Sequence, residues 1–155
     1  MPTVLIKTLE HFDTELALPS YETDGAAGAD IRASLSASDR EAGLMIKAGQ
    51  RVLVPTGLSM EIPKGFEIQV RPRSGLSFKT SLMVVNSPGT IDSDYRGEVK
   101  VILGNMGSKD ELIAHGERVA QLVLAPVTQA NYQLTTDSLS ETARGAGGFG
   151  STGKK

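Results

Sequence analysis

Asp92 and Asp94 stand beside Tyr95 and Arg96 in the polar segment Ser87–Gly97, which lies between two strand-like apolar runs. A carboxylate held within hydrogen-bond reach of a water can act as a general base and deprotonate it. Asp-Ser-Asp is also an ordinary turn sequence whose side chains accept from nearby backbone N–H groups, so both readings stand. In Arg71–Leu76, Pro72 restrains the chain ahead of Arg73, Ser74 and Gly75. These three could present a guanidinium, a hydroxyl and unhindered N–H groups to an anion at a nascent helix start. The other reading is a capped helix start with solvated arginines. Asp30, among the small residues of Gly25–Ala33, suits either a turn cap or a carboxylate held near a metal. Gln121 interrupts the apolar run of Glu117–Leu124. Buried without a partner it would cost about 1–3 kcal/mol, so it needs a ligand phosphate or a neighbouring carbonyl.

The last twelve residues, Arg144–Lys155, hold five glycines, Phe149, the adjacent hydroxyls of Ser151 and Thr152, and three cations. With no apolar periodicity the segment cannot order itself, and it reads as mobile until a ligand binds. Glycine N–H groups, the two hydroxyls and Arg144 can serve phosphate oxygens, and Phe149 offers a face for stacking. A flexible solubilising terminus is the plain alternative. Gly145, Gly147 and Gly150 fit G-x-G-x-x-G, but no strand precedes them and no helix follows, so the dinucleotide reading fails. Gly148–Lys155 nearly spells a P-loop, yet Lys155 replaces the metal-binding Ser or Thr and the helix is lacking.

The elements that must carry these residues are short. Thr3–Lys7, Gln50–Pro55, Leu58–Ile62, Phe66–Arg71, Leu82–Asn86, Glu98–Leu103 and Arg118–Pro126 are rich in Val, Ile and Leu and read as strands. Thr56-Gly57 reads as a break between two of them, and 87–97 as a hairpin with a long polar tip. Arg73–Thr80 can make one helical turn or two. Frequent short strands with turn signals predict an all-β sandwich or jelly-roll barrel. Residues 1–134 form the expected domain, with 135–155 as a C-terminal arm.

At 155 residues the chain can bury its own core. A net charge of −2 argues against nucleic acid as a partner. The absence of cysteine excludes thiolate chemistry and Cys-ligated zinc, and His11 and His115, in no metal-binding pattern, read as ordinary surface or loop histidines. No apolar run is long enough to span a membrane, and the N-terminus does not read as a signal peptide, so a cytoplasmic protein is expected. Aromatics are few, three Tyr, four Phe and no Trp, which makes Tyr95 and Phe149 in loop contexts pointers to ligand stacking.

Taken in order, AGADIRA (27–33), PRSGLS (72–77), GTIDSDYRGE (89–98), GERVAQLVL (116–124) and RGAGGFGSTG (144–153) resemble the five motifs of the trimeric dUTP diphosphatases, or dUTPases. The resemblance implies a homotrimer of distorted jelly-roll, β-barrel-like subunits, with sites shared between subunits and an arm from a neighbour closing each one. It implies Mg²⁺-dependent hydrolysis of dUTP to dUMP and pyrophosphate, limiting uracil in DNA and supplying dUMP for dTMP synthesis. Carried onto this chain, Asp92 would deprotonate the water that attacks the α-phosphorus. Tyr95 would pack on the deoxyribose, while Asn86, Gly89, Thr90, Ile91 and the strand near Lys100 would line the uracil pocket. Arg73, Ser74, Gly75 and Gln121 would hold the α- and β-phosphates. Arg144, Gly150, Ser151 and Thr152 would serve the γ-phosphate end, Phe149 would cover the base, and Asp30 would reach Mg²⁺ through water. Arg71, Ser77 and Ile31 depart from the commoner residues but remove no assigned group.

Two rivals share the scaffold. A dCTP deaminase-like enzyme would use a glutamate base and lack the Phe-bearing tail. A non-catalytic nucleotide-binding regulator would have no use for Asp92.

Overall fold

Runs of Val, Ile and Leu broken by Gly, Pro and Asp fold into ten strands and one short helix in the computed structural model, which describes residues 1–149 and 151. The elements are β1 (Leu5–Thr8), β2 (Ala29–Arg32), β3 (Leu44–Ile46), β4 (Arg51–Glu61), β5 (Phe66–Arg71), α1 (Ser74–Lys79), β6 (Leu82–Val84), β7 (Gly89–Ile91), β8 (Glu98–Asn105), β9 (Glu111–Ile113) and β10 (Arg118–Pro126). One antiparallel sheet runs β1-β4-β8-β6 and a second runs β2-β10-β5-β7, with β3-β9 as a separate ribbon. Inward side chains of both large sheets, among them Val54, Leu58, Val101 and Leu103 from the first and Ile31, Val70, Val119 and Leu122 from the second, merge into one core. Each such side chain contributes about 1.5–3 kcal/mol on leaving water. The class is the all-β, jelly-roll-like one expected. The two sheets close on each other through packed side chains, with no ladder between the named strands of one and the other.

Several elements differ from the sequence reading. Thr56-Gly57 does not divide two strands but lies inside β4. Pairing with β8 steps from Pro55↔Lys100 to Ser59↔Glu98, so β4 carries extra residues as a bulge. Gly57 has φ +67°, and a Cβ there would lie 2.9 Å from Cα and Cβ of Phe12. A turn and a bulge both call for a left-handed glycine, which is why the sequence does not separate them. Strands β2, β3, β7 and β9 span three or four residues, too few for periodicity to register. The hairpin expected at 87–97 is more complex: β6 does pair with β8, but β7 between them crosses to the other sheet and pairs with β5.

Both histidines lie in connecting segments, yet each is tied in. His115 Nδ1 accepts from the Leu35 N–H, so its proton sits on Nε2, facing Asp13 at 3.1 Å. Asp13 also pairs with Arg40. His11 Nε2 donates to Glu98 Oε1 at 2.9 Å. After β10 the chain makes no further strand among the described residues, and 126–146 are exposed throughout.

Candidate active site

The crossing of β7 from one sheet to the other opens a cleft of about 410 Å³ lined by Asn86, Thr90, Ile91, Asp92, Tyr95, Lys100 and, from the apolar side, Leu53, Val99 and Ile102. Six of the residues singled out in the sequence therefore meet in one hollow. Gly89 lies in β7 behind it, buried, where a Cβ would come within 3.0 Å of Asn86 Nδ2 and 3.3 Å of Val70 Cβ. Asp92 starts a turn closed by the Tyr95 N–H on its carbonyl at 3.2 Å. Its carboxylate is exposed and takes no hydrogen bond from the described residues, so it is open to solvent. Asp92 also borders a larger trough of about 820 Å³, with Lys64, Asp94 and Arg96 among its walls. The backbone makes the expected turn, and the side chain stays free of it.

Tyr95 is fixed by two contacts. Its hydroxyl donates to the Glu98 carbonyl at 3.1 Å, and its ring end lies where a Cβ on residue 97 would be, so any larger residue there would push the ring aside. Glu98, which the sequence reading left without a role, also lines the cleft. Oε1 accepts from His11 Nε2 at 2.9 Å, the Gly57 N–H at 2.9 Å and the Thr56 N–H at 3.2 Å. Oε2 pairs with Lys100 Nζ at 3.2 Å. Burial pushes the Glu98 carboxyl up, but the Gly57 N–H, His11 and Lys100 together outweigh it and hold the group below the usual glutamate range. A glutamate so engaged does not serve as a proton acceptor.

The second group gathers where β2 meets β10. Register places Gln121 opposite Asp30. Asp30 Oδ1 accepts from Arg73 Nε at 2.9 Å and Oδ2 from Arg118 Nη1 at 3.0 Å, with Glu22 a further partner of Arg118 at 3.4 Å. Arg73 and Gly75 share a hollow with Lys79, Thr80, Glu117 and Arg118. Arg73 precedes α1 with extended backbone, and no side chain caps the first turn, which leaves the exposed Ser74 and Gly75 at an open helix start. Gln121 finds the partner it needs in the Pro72 carbonyl, to which Nε2 donates at 2.8 Å. Its amide packs against Gly28, where any Cβ would collide. Arg118 was missed because it opens an apolar strand; pairing of that strand with Asp30 is invisible in one sequence.

The tail residues lie apart. Phe149 is fully exposed with φ 50°, and Arg144 Nε donates to the Gly147 carbonyl at 2.8 Å. None of Arg144, Phe149 and Ser151 lines either hollow. Gly150 and Thr152 lie outside the described residues. Among the described residues no three His, Cys, Asp or Glu side chains gather as a metal cage, and no helix is long and apolar enough to cross a membrane.

A family model described as dUTPase matches residues 14–153. The deoxyuridine 5'-triphosphate nucleotidohydrolase of Roseobacter denitrificans is 58% identical over 141 residues, covering 91% of this chain and 90% of that protein. Its counterpart from Brucella melitensis is 57% identical over 152 residues, or 98% and 94%. Among solved structures, the Staphylococcus bacteriophage 80alpha dUTPase with dUPNHPP has a TM-score of 0.82 at 24% identity, covering 97% of this chain and 98% of its own. A mutant dUTPase of phage phi11 of S. aureus, reported with a structural Mg(II) ion, has a TM-score of 0.71 at 20% identity, covering 87% and 97%. The two phage proteins share the fold.

Proposed function

The chain belongs to the dUTPase family and is an enzyme that hydrolyses dUTP; from that premise we propose that it is a Mg²⁺-dependent diphosphatase releasing dUMP and pyrophosphate, with Asp92 as its base. The observation that carries this reading is the cleft in which an open Asp92 carboxylate borders Asn86, Thr90, Ile91 and Tyr95. Asp92 takes a proton from a water whose oxygen bonds to the α-phosphorus. The bond from that phosphorus to the bridging oxygen breaks, and pyrophosphate leaves with the electron pair. Asn86 and the backbone of Gly89, Thr90 and Ile91, with the strand at Lys100, read the uracil edge. Tyr95 packs on the deoxyribose. Cytosine presents the wrong donor pattern to this backbone-lined edge, and a tight pocket would exclude the thymine methyl.

Arg73, Ser74, Gly75 and Gln121 take the α- and β-phosphates. Attack on a polyphosphate is helped chiefly by positioning and charge neutralisation. Mg²⁺ fits the donors present in one way. Among the described residues no protein cage forms and both Asp30 oxygens accept from arginines, so Mg²⁺ would be held mainly by the triphosphate, with Asp30 reaching it through water. When bound it supplies neutralisation of phosphate charge.

The nucleoside cleft and the arginine hollow are separate cavities on one chain, and the described residues of the tail line neither. This division supports a site completed between copies, in a homotrimer where residues 135–155 act as an arm. There Arg144, Gly150, Ser151 and Thr152 meet the γ-phosphate of a neighbour's substrate and Phe149 covers its base. In the cell the reaction limits uracil in DNA and supplies dUMP for dTMP synthesis. The test is pyrophosphate release from dUTP with Mg²⁺ present. Ammonia release from dCTP, or nucleotide binding without turnover, would overturn the reading in favour of a deaminase or a regulator.

A further inference from the structure

Glu98 joins three parts of the molecule that are far apart in sequence. On its side chain, Oε1 satisfies the Thr56 and Gly57 N–H groups, both in buried residues of the β4 bulge, and the His11 ring. Oε2 holds the Lys100 ammonium. On its backbone, the carbonyl accepts from the Tyr95 hydroxyl. We propose that Glu98 is a positioning residue of the nucleoside cleft: it anchors Tyr95 and parks the Lys100 ammonium on its own carboxylate, away from Asp92 and from the neutral base.

Lys100 and Asp92 line the same hollow. An unanchored ammonium there would have Asp92, an open carboxylate, as its next partner, and would put an uncompensated charge beside an uncharged ring. The bulge makes the arrangement rigid. The donors of β4 cannot turn away without leaving buried N–H groups unpaired, at a cost the fold resists. Glu98 is thereby locked, and with it the start of β8 and the carbonyl that orients Tyr95. The inference rests on the dUTP reading of the cleft.

Glu98→Gln separates the two halves of the carboxylate. The amide oxygen can still accept from Thr56, Gly57 and His11, while the amide N–H groups repel Lys100. The expected result is a melting temperature close to that of the unaltered protein, a KM for dUTP raised about tenfold, and kcat within about threefold. The Glu98→Gln/Lys100→Met double variant, which also removes the freed ammonium, should recover most of the affinity lost in Glu98→Gln. An unchanged KM in Glu98→Gln, or a double variant as weak as Glu98→Gln or weaker, would overturn the proposal while leaving dUTP hydrolysis intact. Failure of the unaltered protein to hydrolyse dUTP would overturn both. A merely structural Glu98 would move the melting temperature and not the KM.

Discussion

Two carboxylates of one cleft differ because their surroundings differ. Glu98 is enclosed by four donors and stays ionised and occupied; Asp92, six residues earlier, faces solvent with its oxygens free. On the proposed mechanism proton uptake therefore falls to Asp92. Replacing it by Asn keeps the shape and removes the basicity, so kcat should fall about 10²- to 10⁴-fold with dUTP affinity nearly unchanged. Equilibrium binding and single-turnover rates check this, and near-normal turnover would remove Asp92 from the mechanism. Asp92 was legible from the sequence because its neighbours Asp94, Tyr95 and Arg96 mark it. Glu98 was not, since its partners His11, Thr56 and Gly57 lie more than forty residues away. Asp30 falls between the two cases. Its acidity and small neighbours were visible, but its clamp by Arg73 and Arg118 needs the β2–β10 pairing.

At the scale of elements, the bulge in β4 decides more than any single strand. It turns Thr56 and Gly57 N–H groups towards Glu98 and sets Thr56 Oγ1 on the Val99 carbonyl. Gly57→Ala meets both the left-handed backbone and the Phe12 contact. It should cost about 1–3 kcal/mol, read as a lower denaturation midpoint. An unchanged midpoint would mean that the bulge relaxes without strain. The longer strands β5, β8 and β10 were readable from their apolar runs, and α1 from the Pro72 stop. Among the three-residue strands, β6 was readable within the run Leu82–Asn86, while β3, β7 and β9 were not. They exist because partners in the tertiary structure pair with them, a cause that no local window contains.

Across the whole molecule, two acid-side dependences add. The Asp13 carboxyl is lowered by the Glu15 N–H and by His115, against the opposing effect of burial, with Arg40 adding to the lowering. Glu98 is lowered despite burial. Both groups carry fewer protons folded than unfolded near their ordinary values of 3.8 and 4.5. Their stabilisation is complete above those values and disappears as pH falls through the lowered ones. Melting temperatures should hold from neutrality to about pH 5 and drop below the ordinary carboxylate values; a flat profile down to pH 3 would contradict this. Removing residues 144–155 should leave the melting temperature nearly unchanged, as Arg144 and Phe149 bury nothing in the core. Turnover of dUTP should fall sharply. A truncated protein with full activity would refute the arm.

The ladder of β2 on β10 also has a consequence in time. Apart from an isolated bridge to Ser20, Asp30 has its strand partner only in the last strand of the chain. Local contacts form first and distant pairings wait for loop closure, so topology of this kind folds slowly. A chain emerging during synthesis can shape its first sheet from β1, β4, β6 and β8 while β2 is still unpaired. The clamp of Arg73 and Arg118 on Asp30 then arrives only with β10. A partly made molecule can carry the Asp92 cleft before it carries the arginine clamp, so on the proposed mechanism catalysis is a property the chain acquires late.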